Sequence, residues 1–325
     1  MKRLTLTTII LLGILVSVNA KSWRVNNTPG VDADFTTLNA AQDSASSGDT
    51  LYIEGSATSY GDFTINKKLI IMGPGYFLTE NDTTQVTKLT AKLGNVSIYA
   101  EGTVLSGLHM NYLYNHASKV VITRNFINTD LYAVHNETIL YDVVVSQNYC
   151  KRNLTRNNKL RNALIFNNIV LNTLTMGTAS DDFTGVIKNN VVANMIEAVN
   201  AVIKNNIIYN SAGAGYKILT GNTFSYNLFA GSSVPGGTGN VANVDMSTVF
   251  SDFTNVSVDN DFTLKEGSPA SGAGENGTDC GAFGGDQPYV LSGIPGVPHI
   301  YDAIIPTSAS GDSGLKVYLK IKTNN

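Results

Sequence analysis

Between residues 119 and 229 the chain writes one short pattern repeatedly: an apolar residue, an outward-type residue, a variable one, an asparagine, then an apolar pair. Aligned on the asparagine, the copies are "VVITRNFI", "VVVSQNYC", "ALIFNNIV", "GVIKNNVV", "AVIKNNII" and "NTFSYNLF". The aligned residues are Asn125, Asn148, Asn168, Asn190, Asn206 and Asn227, at spacings of 23, 20, 22, 16 and 21. Three positions earlier stand Ile122, Val145, Ile165, Ile187, Ile203 and Phe224; two positions later stand Ile127, Cys150, Val170, Val192, Ile208 and Phe229. Such short, alternating, β-branched runs predict strands, because a helix needs longer runs at a 3.6-residue period. A period near twenty residues predicts a solenoid.

A coil of strands stacked in parallel accounts for each column. Successive rungs lie about 4.8 Å apart, so equivalent side chains stand on one another. The apolar columns become core ladders, and the asparagine column becomes a hydrogen-bonded amide ladder at a sharp internal corner. The expected role of these asparagines is structural. The step of 16 residues into Asn206 demands very tight turns or an irregular rung.

Earlier rungs are expected at "TLYIEG", "KLIIMG" and "TVLSGLHM", starting at Thr50, Lys68 and Thr103. Ahead of them Phe35, Leu38, Ala41 and Ala45 fall at helical spacing. An amphipathic helix there would cap the open end of the coil, as terminal repeats must. Beyond the coil, "HIYDAII" and "GLKVYLKIK" flank a Ser/Gly/Asp turn region and predict a hairpin that covers the last rung. Lys2 and Arg3, the apolar run from Ile9 to Val18, and "VNA" ending at Ala20 have the build of a secretory signal. The expected organisation is a signal over 1–20, a β-helix domain with its N-terminal cap over 21–285, and a capping tail over 286–325.

Composition narrows the function. Charged residues make up 14% of the chain and net charge is -3, against about 25% charged in an average soluble protein. Polarity comes from asparagine instead, with 36 residues, 22 of them between Asn111 and Asn227. Nucleic-acid binding, which wants a basic face, is not expected. Cys150 and Cys280 are too few for a disulfide framework and are read as free and buried. No membrane span is expected once the signal is removed, and the protein is expected to be secreted or held at the cell surface as a monomer.

The front "DFTTLNAAQDSASSGDTLYIEG", the I-x-N-N-[IV] rungs and the closing "DFTLKEGSPASGAGENGTDCGAFGG" together resemble the secreted bacterial right-handed parallel β-helix proteins of the pectin-lyase-like superfamily. The resemblance spans roughly Ser22 to Gly285. It implies an all-β, right-handed parallel β-helix solenoid with an N-terminal helical cap and a C-terminal β-hairpin cap. It does not imply one activity, since such folds carry lyases, hydrolases, epimerases and adhesins.

Candidate chemistry concentrates in "CKRNLTRNNKLRN", where Lys151, Arg152, Arg156, Lys159 and Arg161 lie in a stretch without Asp or Glu from residue 143 to 180. Read as one loop, these residues predict contact with an acidic extracellular polysaccharide through its carboxylate or sulfate groups. The leading expectation is non-catalytic glycan binding or a surface-structural role. The alternative is a polysaccharide lyase, with these basic residues as base and neutraliser, and Glu137, Asp181 or Asp182 assisting a cation. No metal site is expected, because Asp130, Glu137, Asp142, Asp181, Asp182 and Glu197 share no column; calcium, held by two or three of them, is the one cofactor left open. The Asn128–Asp130 and Asp181–Asp182 elements are similar to polygalacturonase motifs, but the Gly-His and Arg-Ile-Lys elements are missing. Tyr112, Tyr114, Tyr132, Tyr141 and Tyr149 offer aromatic contacts to sugar, with strand packing as the competing role.

Overall fold

The computed structural model describes residues 20–135, 138–177, 182–210, 215–217, 220–254, 256–308 and 314–323. The expected signal over 1–20 lies outside these residues except for Ala20. The chain winds into a parallel β-solenoid of about 8 turns. Three sheets run along its length; among the described residues they hold 11, 7 and 7 strands. We call these sheets 1, 2 and 3, in the order a turn visits them. One turn runs from Val144–Ser146 in sheet 1 through Tyr149–Cys150 in sheet 2 to Leu154–Thr155 in sheet 3.

The predicted columns are the core. Ile122, Val145, Ile165, Ile187 and Ile203 pair in parallel register and are buried, as are Ile127, Cys150, Val170, Val192, Ile208 and Phe229 of sheet 2. The asparagine ladder forms as expected. Each side-chain amide donates to the next asparagine's Oδ1 at 2.9–3.1 Å, from Asn125 through to Asn227. Asn227 then donates to Asn240 at 2.9 Å, so the ladder has one more member than the repeat showed. The short step into Asn206 is a regular rung, made possible by tight corners with Asn200 and Asn205 at positive φ.

One detail of the corner differs from expectation. The residue in the left-handed conformation is not the ladder asparagine but the one before it. Arg124, Gln147, Asn167, Asn189, Asn205 and Tyr226 have φ between 52° and 57°. The ladder asparagines instead bond across the corner to backbone carbonyls, as Asn168 does to Val145 and Phe166.

The N-terminal helix spans Leu38–Ser44, with Thr37 as its N-cap. Leu38 and Ala41 enter the core, and Lys67 donates to the carbonyls of Gln42 and Ala45 at its C-terminal end. Phe35 precedes the helix and packs on Trp23 with centroids 5.3 Å apart.

A second core lies outside the coil. The first residue of each sheet 2 strand points outward, and Phe126, Tyr149, Ile169, Val191, Ile207 and Leu228 are all buried. Residues 244–294 cover them, with Phe250, Phe262, Ala282 and Tyr289 packed on the column. The chain therefore turns at the last rung and runs back along the coil as a strap. The left-handed corner residues clip it in reverse order. Asn205 accepts from Glu275 N–H at 2.9 Å, Asn189 donates to Asp279 O at 3.1 Å, and Asn167 donates to Ala282 O and Gly284 O at 2.6 and 2.7 Å. Gln147 then donates to Pro288 O at 2.6 Å, and Arg124 to Ile294 O at 3.1 Å. Gly293 passes so close that a Cβ there would stand 2.3 Å from the Tyr76 ring.

The strap corrects the expected C-terminal cap. The hairpin exists, as His299–Ile304 paired antiparallel with Tyr318–Lys322. It does not cover the last rung. Val86 N–H donates to Ile300 O at 3.0 Å and Lys322 to Thr83 Oγ1 at 2.9 Å, which places it beside the 79–86 loop near the start of the coil. Tail residues such as Pro288 and Val290 carry no periodic signal of this reversal, which only the corner contacts reveal.

Candidate functional site

The five basic residues do not form one loop. Lys151 and Arg152 are exposed at the corner between sheets 2 and 3. Leu154 is buried in the sheet 3 strand that follows. Arg156 and Lys159 come after it, on the way to the sheet 1 strand Leu160–Phe166, and Arg161 lies within that strand. Arg156 is turned inward and paired with Asp182 at 2.6 Å, and its side chain is 8% exposed. It also donates to Asn158 O at 2.6 Å. The cluster is thus two groups on opposite edges of sheet 3, with one member fixed in an ion pair.

The candidate cation ligands are also dispersed. Asp130 accepts from Asn153 N–H and Nδ2 at 3.1 and 2.9 Å, and Glu197 pairs with Lys217 at 2.6 Å. Asp142 sits at a left-handed corner position. Glu137 and Asp181 lie outside the described residues. Among the described residues no three His, Cys, Asp or Glu side chains come together as a metal site.

What the fold does bring together is an aromatic face on sheet 3. In Leu113–Asn115 and Leu131–Tyr132 the leucine points into the core, so the following tyrosine points out. Register then stacks Tyr114 on Tyr132, one rung apart. Their centroids are 5.3 Å apart at 21°, and Tyr112 lies parallel to Tyr114 at 5.7 Å. His135 packs on both Tyr114 and Tyr132, at 4.6 and 5.0 Å, and its Nδ1 bonds Asn157 Nδ2 at 2.8 Å. His116 and Tyr99 stack at 4.2 Å and extend the face toward the N-terminal turns.

Tyr114 and Tyr132 stack face to face along the coil, and Tyr112 lies parallel to Tyr114 within the same rung. A half-exposed ring so covered presents its edge and hydroxyl, and its π-face is taken. No group among the described residues accepts from the hydroxyls of Tyr112, Tyr114 or Tyr132. Burial holds the Tyr114 and Tyr132 phenols above the ordinary range, helped by Tyr112 at the first and Asp130 at the second. Both therefore stay protonated donors. Arg152 stands near enough for its charge to act on Tyr132. The face is a row of phenol and imidazole edges with an arginine at one side, suited to hydrogen-bonding hydroxyl and carboxylate groups.

Of the tyrosines singled out in the sequence, Tyr112, Tyr114 and Tyr132 belong to this face. Tyr149 is buried in the second core, with Oη donating to Ser257 O at 3.3 Å, and Tyr141 lies on sheet 1. Sequence reasoning missed His116, His135 and Tyr99. The signal was present in "YNH" at Tyr114 and "YAVH" at Tyr132, one rung apart.

The outer side of sheet 1 carries a groove of two adjoining cavities, about 470 and 500 Å³, walled by the strap at Asp286 and Gln287. Its floor is aliphatic, with Val121, Val144, Leu164 and Val202; of its polar residues Arg124, Gln147, Asn167 and Asn189 hold the strap, Lys204 pairs with Glu275, and Lys188 lies over the Phe166 ring.

No protein-family model matches the chain, and no curated protein is detectably similar to it in sequence. The class defined by the structure is the parallel β-solenoid.

Proposed function

We propose that this is an exported β-helix of the pectin-lyase-like kind that binds an acidic extracellular polysaccharide without cleaving it. The observation carrying this reading is the half-exposed Tyr112–Tyr114–Tyr132 stack with His135 on the sheet 3 side, with the exposed Arg152 near enough for its charge to act on Tyr132. Phenol hydroxyls meet sugar hydroxyls, and the exposed charges of Lys151 and Arg152 meet uronate carboxylates or sulfates. The basic, apolar and small-residue blocks of the first 20 residues support export, and the protein is taken to act as a secreted or surface protein without a cofactor. Two features favour binding over lyase chemistry: the basic residues diverge across sheet 3, and Arg156 is committed to Asp182.

The test is titration calorimetry with polyuronate, sulfated and neutral polysaccharides. Binding to an acidic polymer, weakened about tenfold, or about 1.4 kcal/mol, in both Tyr132→Ala and Arg152→Ala, supports the reading. Undiminished binding in both variants, or no binding to any acidic polymer, overturns it. Growth of unsaturated-uronate absorbance in the same mixtures would replace it with the lyase.

A further inference from the structure

We propose that the C-terminal hairpin is a self-association surface, occupied by the same hairpin of a second copy of this chain. Directly opposed residues of an antiparallel pair share a face. Ile300 opposes Ile321 and Ala303 opposes Leu319, so these four lie on one face. Ile305 and Val317 follow the strands with the same alternation. That face carries no charge, and its large residues are between 39% (Ile300) and 63% (Ile305) exposed.

The opposite face is mixed. Asp302 opposes Lys320 and pairs with it at 2.9 Å, Lys322 lies over the Tyr301 ring, and the exposed Ile304 and Tyr318 oppose each other toward the hairpin's far end. At the base of the hairpin this polar side is the one turned to the body, with Lys322 on Thr83 and His299 buried. The apolar face therefore points away from the coil.

Three considerations select a second copy as occupant. A two-stranded hairpin is marginal in water and needs a further layer on its apolar side. A face without charge offers nothing to a charged partner, but it is self-complementary about a two-fold axis. From those exposures the apolar area is at most roughly 450 Å² per copy, so two copies bury up to about 900 Å², the size of a weak, concentration-dependent interface. A face-to-face pair of hairpins would join two solenoids at their N-terminal turns and leave sheet 3 open.

Sedimentation equilibrium of the full chain over a range of concentrations tests this. The wild type should show a concentration-dependent dimer. Leu319→Lys combined with Ile321→Lys should be monomeric, with the circular dichroism and unfolding midpoint of the coil unchanged. Tyr318→Lys, on the polar face, should dimerise as the wild type does. Should the double variant fail to fold, Ile305→Lys, outside the strands, serves in its place. A wild type monomeric at every concentration overturns the proposal, as do a dimer that survives the apolar-face variants and a Tyr318→Lys variant that dissociates equally.

Discussion

Asn168→Ala removes the middle of the amide ladder. The Asn168 side chain accepts from Asn148 N–H at 3.0 Å and Asn148 Nδ2 at 3.0 Å, and donates to Val145 O, Phe166 O and Asn190 Oδ1 at 2.9, 3.1 and 3.0 Å. In the variant the buried Asn148 N–H loses its acceptor, a penalty of about 1–3 kcal/mol, and each of the other bonds has a net value of about 0.5–1.5 kcal/mol. Some carbonyls keep a second donor, as Phe166 O does from Gln147 N–H, so the sum is less than additive. The expected loss is about 3–5 kcal/mol, a large share of a domain's net stability. Asn168 itself is not in the left-handed region, so alanine adds no backbone strain. Guanidinium unfolding followed by circular dichroism measures it. The control is Asn194→Ala, whose amide donates to Asn172 on the half-exposed outer corner and should cost below about 1 kcal/mol. Equal losses in the two variants would refute the claim that burial and mutual bonding of the ladder amides hold the corner.

The strap gives a second prediction. Asn167→Gly keeps the left-handed corner but deletes the bonds to Ala282 and Gly284; proteolysis within 285–297 should speed up about tenfold, and an unchanged rate would show that the clips do not hold the strap. Asp259 ties the strap to the 77–84 loop, accepting from Asn81, Ser292 N–H and Tyr289. Burial raises its carboxyl to about 6 despite those hydrogen bonds. A raised folded-state pKa means that its contribution is full below pH 4 and is lost as pH climbs through 6, a difference of about 3 kcal/mol; strap protection should be higher at pH 4.5 than at pH 7.5, and Asp259→Asn should flatten the profile. Cys150 and Cys280 are buried and free, and burial pushes the Cys280 thiol up to about 12 and Cys150 higher still; both should resist alkylation until the chain unfolds, and rapid native labelling of either would contradict the packing.

The legible part of this protein is the part that repeats. Ile122, Val145, Ile165, Ile187 and Ile203 occupy one column because a stacked rung places equivalent side chains on one another, and that identity is visible without coordinates. The corner was legible only to within one residue. Both Asn167 and Asn168 are asparagines, and only the backbone angles separate the left-handed member from the ladder member. Each ladder asparagine is followed by an apolar pair, yet nothing along the chain said that both members are buried or what covers Tyr149 or Ile169. The candidate site was legible in its parts. Tyr112, Tyr114, Tyr132 and Arg152 could be named, whereas their convergence with His135, and the separation of Arg156 from Arg152, depend on which corner each residue occupies.

Local pattern alone determined the solenoid and its asparagine ladder, which depend on contacts between a residue and its near copy one rung away, and the N-terminal helix, which depends on apolar spacing within a single turn or two. The tertiary structure decided the course of the strap, the position of the hairpin and the aromatic face. Those depend on unique contacts across long separations, such as Asn81 to Asp259 and Lys322 to Thr83, and a contact made once leaves no period to read.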